Sequence, residues 1–177
     1  MSETAPTTVA APPGPHRPRV LVAVDGTAAS DHGARAAREL FGTSATYLAI
    51  NVGVGPYSAM SWAYVSPLGG PAASFPQAWY DEIDAEAVTA TARAKADARQ
   101  ITETAGLEQV TAIGDIGDPT SAIIRAAHQH HADVVVVGAD QRSWVSRLFA
   151  GSVERLLLRE ADFSVLVVSG TDVADTR

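Results

Sequence analysis

The stretch from Ala132 to Ser169, ADVVVVGADQRSWVSRLFAGSVERLLLREADFSVLVVS, decides the fold because it holds two apolar strand candidates separated by a helix candidate. Val134 to Val137 is an unbroken β-branched run, and Val165 to Val168 is a second apolar run. Such runs are typical of strands buried on both faces, as in a parallel sheet covered by helices. The VERLLLRE segment, residues 153–160, fits a short amphipathic helix with Ser152 as its N-cap. The stretch therefore predicts a βαβ unit.

The loop between the two apolar runs has glycines at both ends. Gly138 ends the first run, and Gly151 and Ser152 directly precede the helix candidate. Unpaired N–H groups and the positive end of the dipole at a helix N-terminus can receive phosphate from such a loop. The glycines are equally explained by the end of a strand and the start of a helix. Spacing alone favours this second explanation, because glycine motifs often occur without a ligand.

The spacing Gly138-x2-Gln141-x9-Gly151-Ser152 resembles the nucleotide-binding signature of the universal stress protein family, G-x2-G-x9-G-[ST]. Upstream, RVLVAVDGTAASDHGARAARELF and LAINV resemble the first strand and helix and the second strand of that family. GDPTSAIIRAAHQHHADVVVVG resembles its penultimate helix and strand. The resemblance covers residues 19–169, and Gln141 departs from it by replacing the second glycine of the signature.

The resemblance implies a fold, a ligand and an assembly. It implies the strand order 3-2-1-4-5, a homodimer joined through the last strand, and a site for ATP or another adenine nucleotide, with Mg as a possible companion. The residues that it implies at this site are Asp25, Val52, Gly138, Gln141, Gly151, Ser152 and Val153. In the family the position of Val52 supplies backbone contacts to the adenine ring.

Asp25 is also singled out by its place in the chain. It follows the apolar run from Val20 to Val24 and precedes Gly26, so it lies at the carboxyl end of the first strand. Ligands of open α/β sheets bind outside the carboxyl ends of the strands, where an acid can accept hydrogen bonds from adenine or ribose. The alternative is that Asp25 only forms a turn with its own backbone.

The whole chain is expected to form a single doubly wound α/β domain at residues 19–170, with helices on both faces of a five-stranded, mainly parallel sheet. With 177 residues and 46% hydrophobic content, one domain with a substantial core is the default. The strands are predicted near residues 19–25, 45–52, 109–114, 133–138 and 164–169, and the helices near 28–41, 77–105 and 120–130.

Three segments lie outside this regular pattern. Residues 1–18 carry five prolines and few large apolar side chains, which predicts a disordered arm. Residues 171–177 form a short C-terminal tail. Residues 53–76 are rich in glycine, proline and aromatic side chains, and they predict a long loop. This loop is interpreted either as a flap that covers the site or meets a partner subunit, or as an insertion whose aromatic side chains cover the sheet edge.

Composition excludes several classes of protein and partner. A formal charge of −7 argues against a nucleic-acid surface, and no apolar run is long enough to span a membrane. The absence of cysteine excludes thiolate sites and favours the cytoplasm. No metal site is expected: the acidic side chains at 81, 82, 84 and 86 suit the first turns of a helix, and His128, His130 and His131 do not converge on one ion.

The sequence contains no recognisable catalytic motif, so a dedicated enzyme is not expected. The favoured function is that of a cytoplasmic stress-response protein which binds an adenine nucleotide and acts through an unknown protein partner. Because Gln141 replaces a signature glycine, one alternative is a dimeric interaction protein of the same family that binds no nucleotide. A weak ATPase is the third interpretation.

Overall fold

The computed structural model describes residues 17–55, 77–139 and 163–169. These residues form five strands and three α-helices, which alternate from β1 to β4, together with a short 3-10 turn at Gly42–Ser44. The elements are β1 (Arg19–Ala23), α1 (Ala28–Phe41), β2 (Thr46–Gly53), α2 (Gln77–Thr104), β3 (Thr111–Ile116), α3 (Pro119–His130), β4 (Val134–Ala139) and β5 (Ser164–Ser169).

The strands form one parallel sheet with the order β3-β2-β1-β4-β5, which confirms the expected topology. The chain starts at the centre of the sheet, moves outward to β3, and returns to the other side of β1 for β4 and β5. The strand order therefore reverses beside β1, and the carboxyl ends of β1, β2 and β4 border the crevice where such sheets bind ligands.

Helices cover both faces of the sheet, as expected. On one face α1 and α2 pack over Val20, Val22 and Val24, and on the other α3 packs over Leu21 and Ala23. Successive residues of a strand point to opposite faces, so an unbroken apolar run places side chains in both layers of the core. The β-branched run of β4 behaves in the same way, because Val135 and Val137 belong to the α3 layer and Val136 to the other.

Local capping residues explain where two helices begin. Thr27 caps α1 by accepting from the Ser30 backbone N–H at 3.2 Å. Asp118 caps α3 by accepting from the Ser121 N–H at 2.9 Å, and Pro119 occupies the first turn, where its missing N–H has no cost. The bounds of α1 agree with the prediction, and α3 begins one residue earlier than predicted.

The far end of α1 is tied to the sheet through a buried phenol. The Tyr47 hydroxyl donates to the Gly42 carbonyl at 2.8 Å and approaches the Ala37 carbonyl at 3.3 Å. Burial raises the pKa of Tyr47, and the positive charge of Arg38 opposes that shift. The phenol therefore gives the carbonyl of Gly42, the residue that caps the end of α1, a partner in β2.

Several predicted boundaries were wrong. The third strand was predicted at 109–114 but runs from Thr111 to Ile116, because Gln109 has a φ of 55° and belongs to the turn after α2. The other strand limits differ from the prediction by at most two residues. The start of α2 at Gln77 agrees with the prediction, but the acids from Asp81 onward, which were placed in its first turns, lie beyond the first turn.

Gly138 was expected to end the fourth strand, but it lies within β4, which continues to Ala139. It is paired in register with Val168 of β5. The predicted helix at 153–160, most of the arm, the tail and all but the start of the 53–76 loop lie outside the described residues. Within the described ranges, none of the helices combines the length and apolar character needed to cross a membrane.

Candidate functional site

Three of the predicted site residues meet at the carboxyl edge of the sheet. The β1–β2 register ends with Ala23 beside Ile50, so Asp25 lies level with Val52 when the register is continued. Ala23 also pairs with Val137, which places Gly138 at the same edge on the other side of β1. Residues that are far apart in the chain are thus brought to the point where the strand order reverses.

Asp25 uses one carboxylate oxygen in the turn that starts α1. Its Oδ1 accepts from the Thr27 N–H at 3.1 Å and from the Thr27 hydroxyl at 2.6 Å. Its Oδ2 is buried and has no hydrogen-bond partner among the described residues. The interpretation that Asp25 only forms a turn therefore accounts for Oδ1. Oδ2 remains available to a group from outside this turn. An unpaired buried polar group costs about 1–3 kcal/mol, so such a partner would be stabilising.

Val52 presents backbone beyond the end of β1. It pairs with Asp115 of β3 on one side, whereas the β1–β2 register stops two residues earlier on the other. Its side chain is partly buried against the core layer beneath α3. Backbone groups of Val52 that face the β1 side can therefore meet the edge of a planar ligand. The predicted adenine contact of Val52 remains a prediction.

Gly138 is required by packing. A Cβ at this position would lie 1.9 Å from the Ala29 carbonyl oxygen and 2.8 Å from the Ser30 nitrogen. Gly33 lies at the same contact, since its Cβ would be 3.1 Å from the Gly138 nitrogen. The missing side chains let the first turns of α1 rest directly on β4. This explains the glycine without a ligand, and its predicted phosphate contact is a separate matter that stays a prediction.

Thr120 is a site candidate that sequence analysis missed. It lies in the first turn of α3 on the sheet-facing stripe that continues through Ile123, Ile124 and Ala127, and only 2% of its surface is exposed. Its hydroxyl has no hydrogen-bond partner among the described residues. The available signal was a hydroxyl residue at helical spacing from apolar residues, directly after the Gly117-Asp118-Pro119 turn.

Other carboxylates near this edge already have partners. Asp115 accepts from the Ile116 N–H at 2.8 Å and forms an ion pair with Arg125 of α3. Asp118 accepts from both the N–H and the hydroxyl of Ser121. In the described part of the chain, no three potential ligands of the His, Cys, Asp or Glu type are grouped to hold a metal ion. The unpaired oxygen of Asp25 therefore stands apart from its neighbours.

A cavity of about 500 Å³ lies at a different place, between the C-terminal parts of α1 and α2. Its lining includes Arg35, Arg38, Glu39 and residues 104–106. The C-terminal ends of helices carry a partial negative charge, which weakens the attraction of the two arginines for an anionic ligand. This cavity contains none of the predicted site residues.

Four of the predicted residues, Gln141, Gly151, Ser152 and Val153, lie outside the described residues. The described geometry thus covers the part of the site expected to hold a base or sugar, at the ends of β1 and β2. The part expected to hold phosphate remains a sequence prediction.

Comparison with known proteins agrees with this fold. The model of the universal stress protein family matches residues 16–169. A universal stress protein crystallised in complex with cAMP is 23% identical, with 85% of this chain and 96% of that chain covered and a TM-score of 0.51. Universal stress protein UspA from Lactobacillus plantarum is 21% identical, with 86% and 99% covered and a TM-score of 0.56. A search of curated proteins finds no match.

The family match spans all five strands and the three helices described above. It also includes the carboxyl-edge residues Asp25, Val52 and Gly138, which the sheet brings together. The chain therefore belongs to the universal stress protein family.

Proposed function

We propose that this protein binds an adenine nucleotide at the carboxyl edge of the sheet and acts in a stress response through regulated protein interactions in the cytoplasm. The observation that carries the proposal is the buried Oδ2 of Asp25, which has no partner among the described residues and lies level with Val52 just beyond the last β1–β2 pair. A carboxylate accepts hydrogen bonds and cannot donate, so it suits the amino group of adenine or a ribose hydroxyl. The cAMP complex of a family member supports the same ligand class.

The proposed role needs no chemical step, so we infer a binding protein and not an enzyme. Binding at this edge can nevertheless change the structure around it, because Asp25 is hydrogen-bonded to Thr27, the N-cap of α1. A ligand that holds Asp25 would thereby also hold the start of α1. Such ordering at a helix end is a physical route by which a nucleotide can alter a surface offered to a partner.

A second candidate function follows from Gln141. Glycine allows backbone to approach phosphate closely, whereas a glutamine at this position of the signature brings a side chain next in sequence to the anionic Asp140. If triphosphate is excluded, AMP or a cyclic nucleotide binds as well as ATP. If every nucleotide is excluded, the protein is a dimeric interaction protein of the same family.

Thermal unfolding with and without ATP, ADP, AMP and cyclic AMP tests the nucleotide proposal. A ligand at about 100 times its dissociation constant adds about 2.7 kcal/mol of stability, which raises the melting temperature by several degrees. Gln141→Gly is expected to enlarge the shift with ATP, and Gly151→Val to abolish it by filling the phosphate end of the site. If neither wild type nor Gln141→Gly shows a shift at millimolar nucleotide, the interaction-protein alternative replaces the nucleotide proposal.

We also propose a homodimer formed through β5. This strand lies at an edge of the described sheet and pairs with β4 alone among the described strands, and Val167 is 43% exposed. The Ser164 N–H donates to the backbone carbonyl of Asp133, which directly precedes β4, at 2.9 Å. Because N–H directions alternate along a strand, the N–H of Val167 points away from β4 and is available to a second copy.

Val167→Pro is expected to convert the dimer to a monomer while the fold is retained, because proline removes an outward N–H and leaves the β4 ladder intact. Light scattering at micromolar protein measures the mass. Val167→Ala keeps the N–H and serves as the matched control, so it should remain dimeric. A monomeric wild type, or a proline variant that stays dimeric, would contradict the assignment.

A further inference from the structure

The hydroxyl of Thr120 and the Oδ2 of Asp25 are both buried, and neither has a hydrogen-bond partner among the described residues. Thr120 comes from α3 and Asp25 from the turn after β1, so two separate parts of the described chain each contribute one such polar group. Buried polar groups in folded proteins are nearly always paired, and exceptions call for a missing partner.

The alternation of side chains along β1, extended past its end, places both groups on the same side of the sheet. Leu21 and Ala23 belong to the core layer beneath α3, whereas Val20 and Val22 face the other helices. Val24 follows β1, still bonds to Ile50 of β2 and belongs to the layer of α1 and α2, so the alternation extended by one residue directs Asp25 to the α3 side. Val52, which lies level with Asp25, packs against that same layer.

Both groups also lie at the same edge of the sheet. The Gly117 N–H donates to the Gly53 carbonyl at 3.0 Å, which ties the chain after β3 to the end of β2. The helix α3 starts two residues later, at Pro119. Thr120 is therefore the member of the buried α3 stripe closest to the carboxyl edge.

The start of α3 itself is not a free anion site. Asp118 places its carboxylate there and accepts from the backbone and side chain of Ser121. A phosphate at this position would meet a like charge. The missing partner of Thr120 is thus a neutral polar group, and not phosphate.

We propose that Thr120 is a specificity-determining residue of the nucleotide site, where its hydroxyl pairs with the adenosine part of the ligand beside Asp25. The inference rests on the proposed nucleotide-binding function. A carboxylate that only accepts, next to a hydroxyl that can donate, complements a ligand with a donor beside an acceptor. The amino group and N1 of adenine have this arrangement, and so do the two hydroxyls of ribose.

Titration calorimetry of full-length wild type and Thr120→Val with AMP tests the proposal. Valine keeps the shape of threonine and removes the hydroxyl, and loss of one neutral hydrogen bond corresponds to a weakening of about three- to tenfold. Thr120→Ser keeps a hydroxyl and should restore most of the affinity. The matched control is Thr102→Val, because Thr102 is equally buried but its hydroxyl already donates to Ala98 at 2.8 Å.

Three analogues identify the ligand group that Thr120 contacts. Inosine monophosphate has an acceptor where adenine has its amino group and a donor at N1, and 2′-deoxy-AMP lacks one ribose hydroxyl. If the base lies against Asp25 and Thr120, wild type binds inosine monophosphate more weakly than AMP, because the carboxylate then faces an acceptor, and Thr120→Val weakens 2′-deoxy-AMP as much as AMP. If Thr120 pairs with the 2′-hydroxyl of ribose, the variant weakens AMP and inosine monophosphate alike, and 2′-deoxy-AMP loses the effect of the substitution; 3′-deoxy-AMP loses it if the 3′-hydroxyl is the partner.

The unfolding of the ligand-free protein separates recognition from a structural role. Valine removes an unpaired buried hydroxyl, so Thr120→Val should melt at the wild-type temperature or above it while it binds AMP more weakly. Equal AMP affinities in wild type and Thr120→Val would overturn the role of Thr120 and leave the nucleotide function standing. A wild type that binds neither AMP nor any of the analogues would overturn both.

Discussion

Gly138→Ala is expected to lower the free energy of unfolding by about 3 kcal/mol or more, at the upper end of what overpacking costs. The new Cβ would lie 1.9 Å from the carbonyl oxygen of Ala29 and 2.4 Å from its carbonyl carbon. These are backbone atoms in the first turn of α1, so no side chain can rotate to make room. The strand cannot retreat easily either, because β4 is held between β1 and β5.

Urea unfolding of the ligand-free protein measures this loss. Gly53→Ala is the matched control, because a Cβ there meets nothing closer than 3.7 Å. Its effect should stay within about 0.5 kcal/mol. A Gly138→Ala protein as stable as wild type would show that α1 does not rest on β4 as described. The same measurement is needed to interpret binding data. If a Gly138 variant binds nucleotide more weakly, the result indicates a lost phosphate contact only when the variant is shown to be folded.

Gly114→Ala is expected to cost about 2–3 kcal/mol by the same mechanism on the other side of the sheet. Its Cβ would lie 2.2 Å from the Thr91 carbonyl oxygen and 2.5 Å from the Lys95 nitrogen, both in the backbone of α2. The cost should be smaller than at Gly138, because β3 is an edge strand of the described sheet and can move outward. Part of the strain can then be relieved by a local shift.

Hydrogen exchange distinguishes a local shift from global loss of stability. Amides of α2 around Thr91 and Lys95 should exchange faster in Gly114→Ala, while those of β1 at the centre of the sheet change less. Gly53→Ala again serves as the control. Uniform acceleration across the sheet would contradict a local response, and unchanged exchange together with unchanged stability would contradict the close packing of β3 on α2.

The close contact at Gly138 and the proposed ligand contact at Asp25 share the first turn of α1. Asp25 accepts from Thr27, Thr27 accepts from the Ser30 N–H, and Ser30 follows Ala29, which rests on Gly138. The end of β1, the start of α1 and the end of β4 are thus connected by short contacts. A site built on such elements holds its groups in place before a ligand arrives, which lowers the entropic cost of binding.

Sequence alone was sufficient for the features that depend on neighbouring residues. The β-branched run at Val134 to Val137 predicted a strand buried on both faces, and α1 has the predicted bounds of Ala28 and Phe41. The resemblance supplied the strand order. Periodicity, end residues and motif spacing are local properties, so they can be read before the chain is folded.

Tertiary structure decided the features that depend on atoms distant in sequence. Gly138 looked like the end of a strand, and only its contact with Ala29 shows that it makes room for a helix. Thr120 looked like an ordinary residue in a helix start, and only its burial shows that its hydroxyl lacks a described partner. Steric clearance and hydrogen-bond satisfaction are set by packing between elements, and no local pattern in the sequence encodes them.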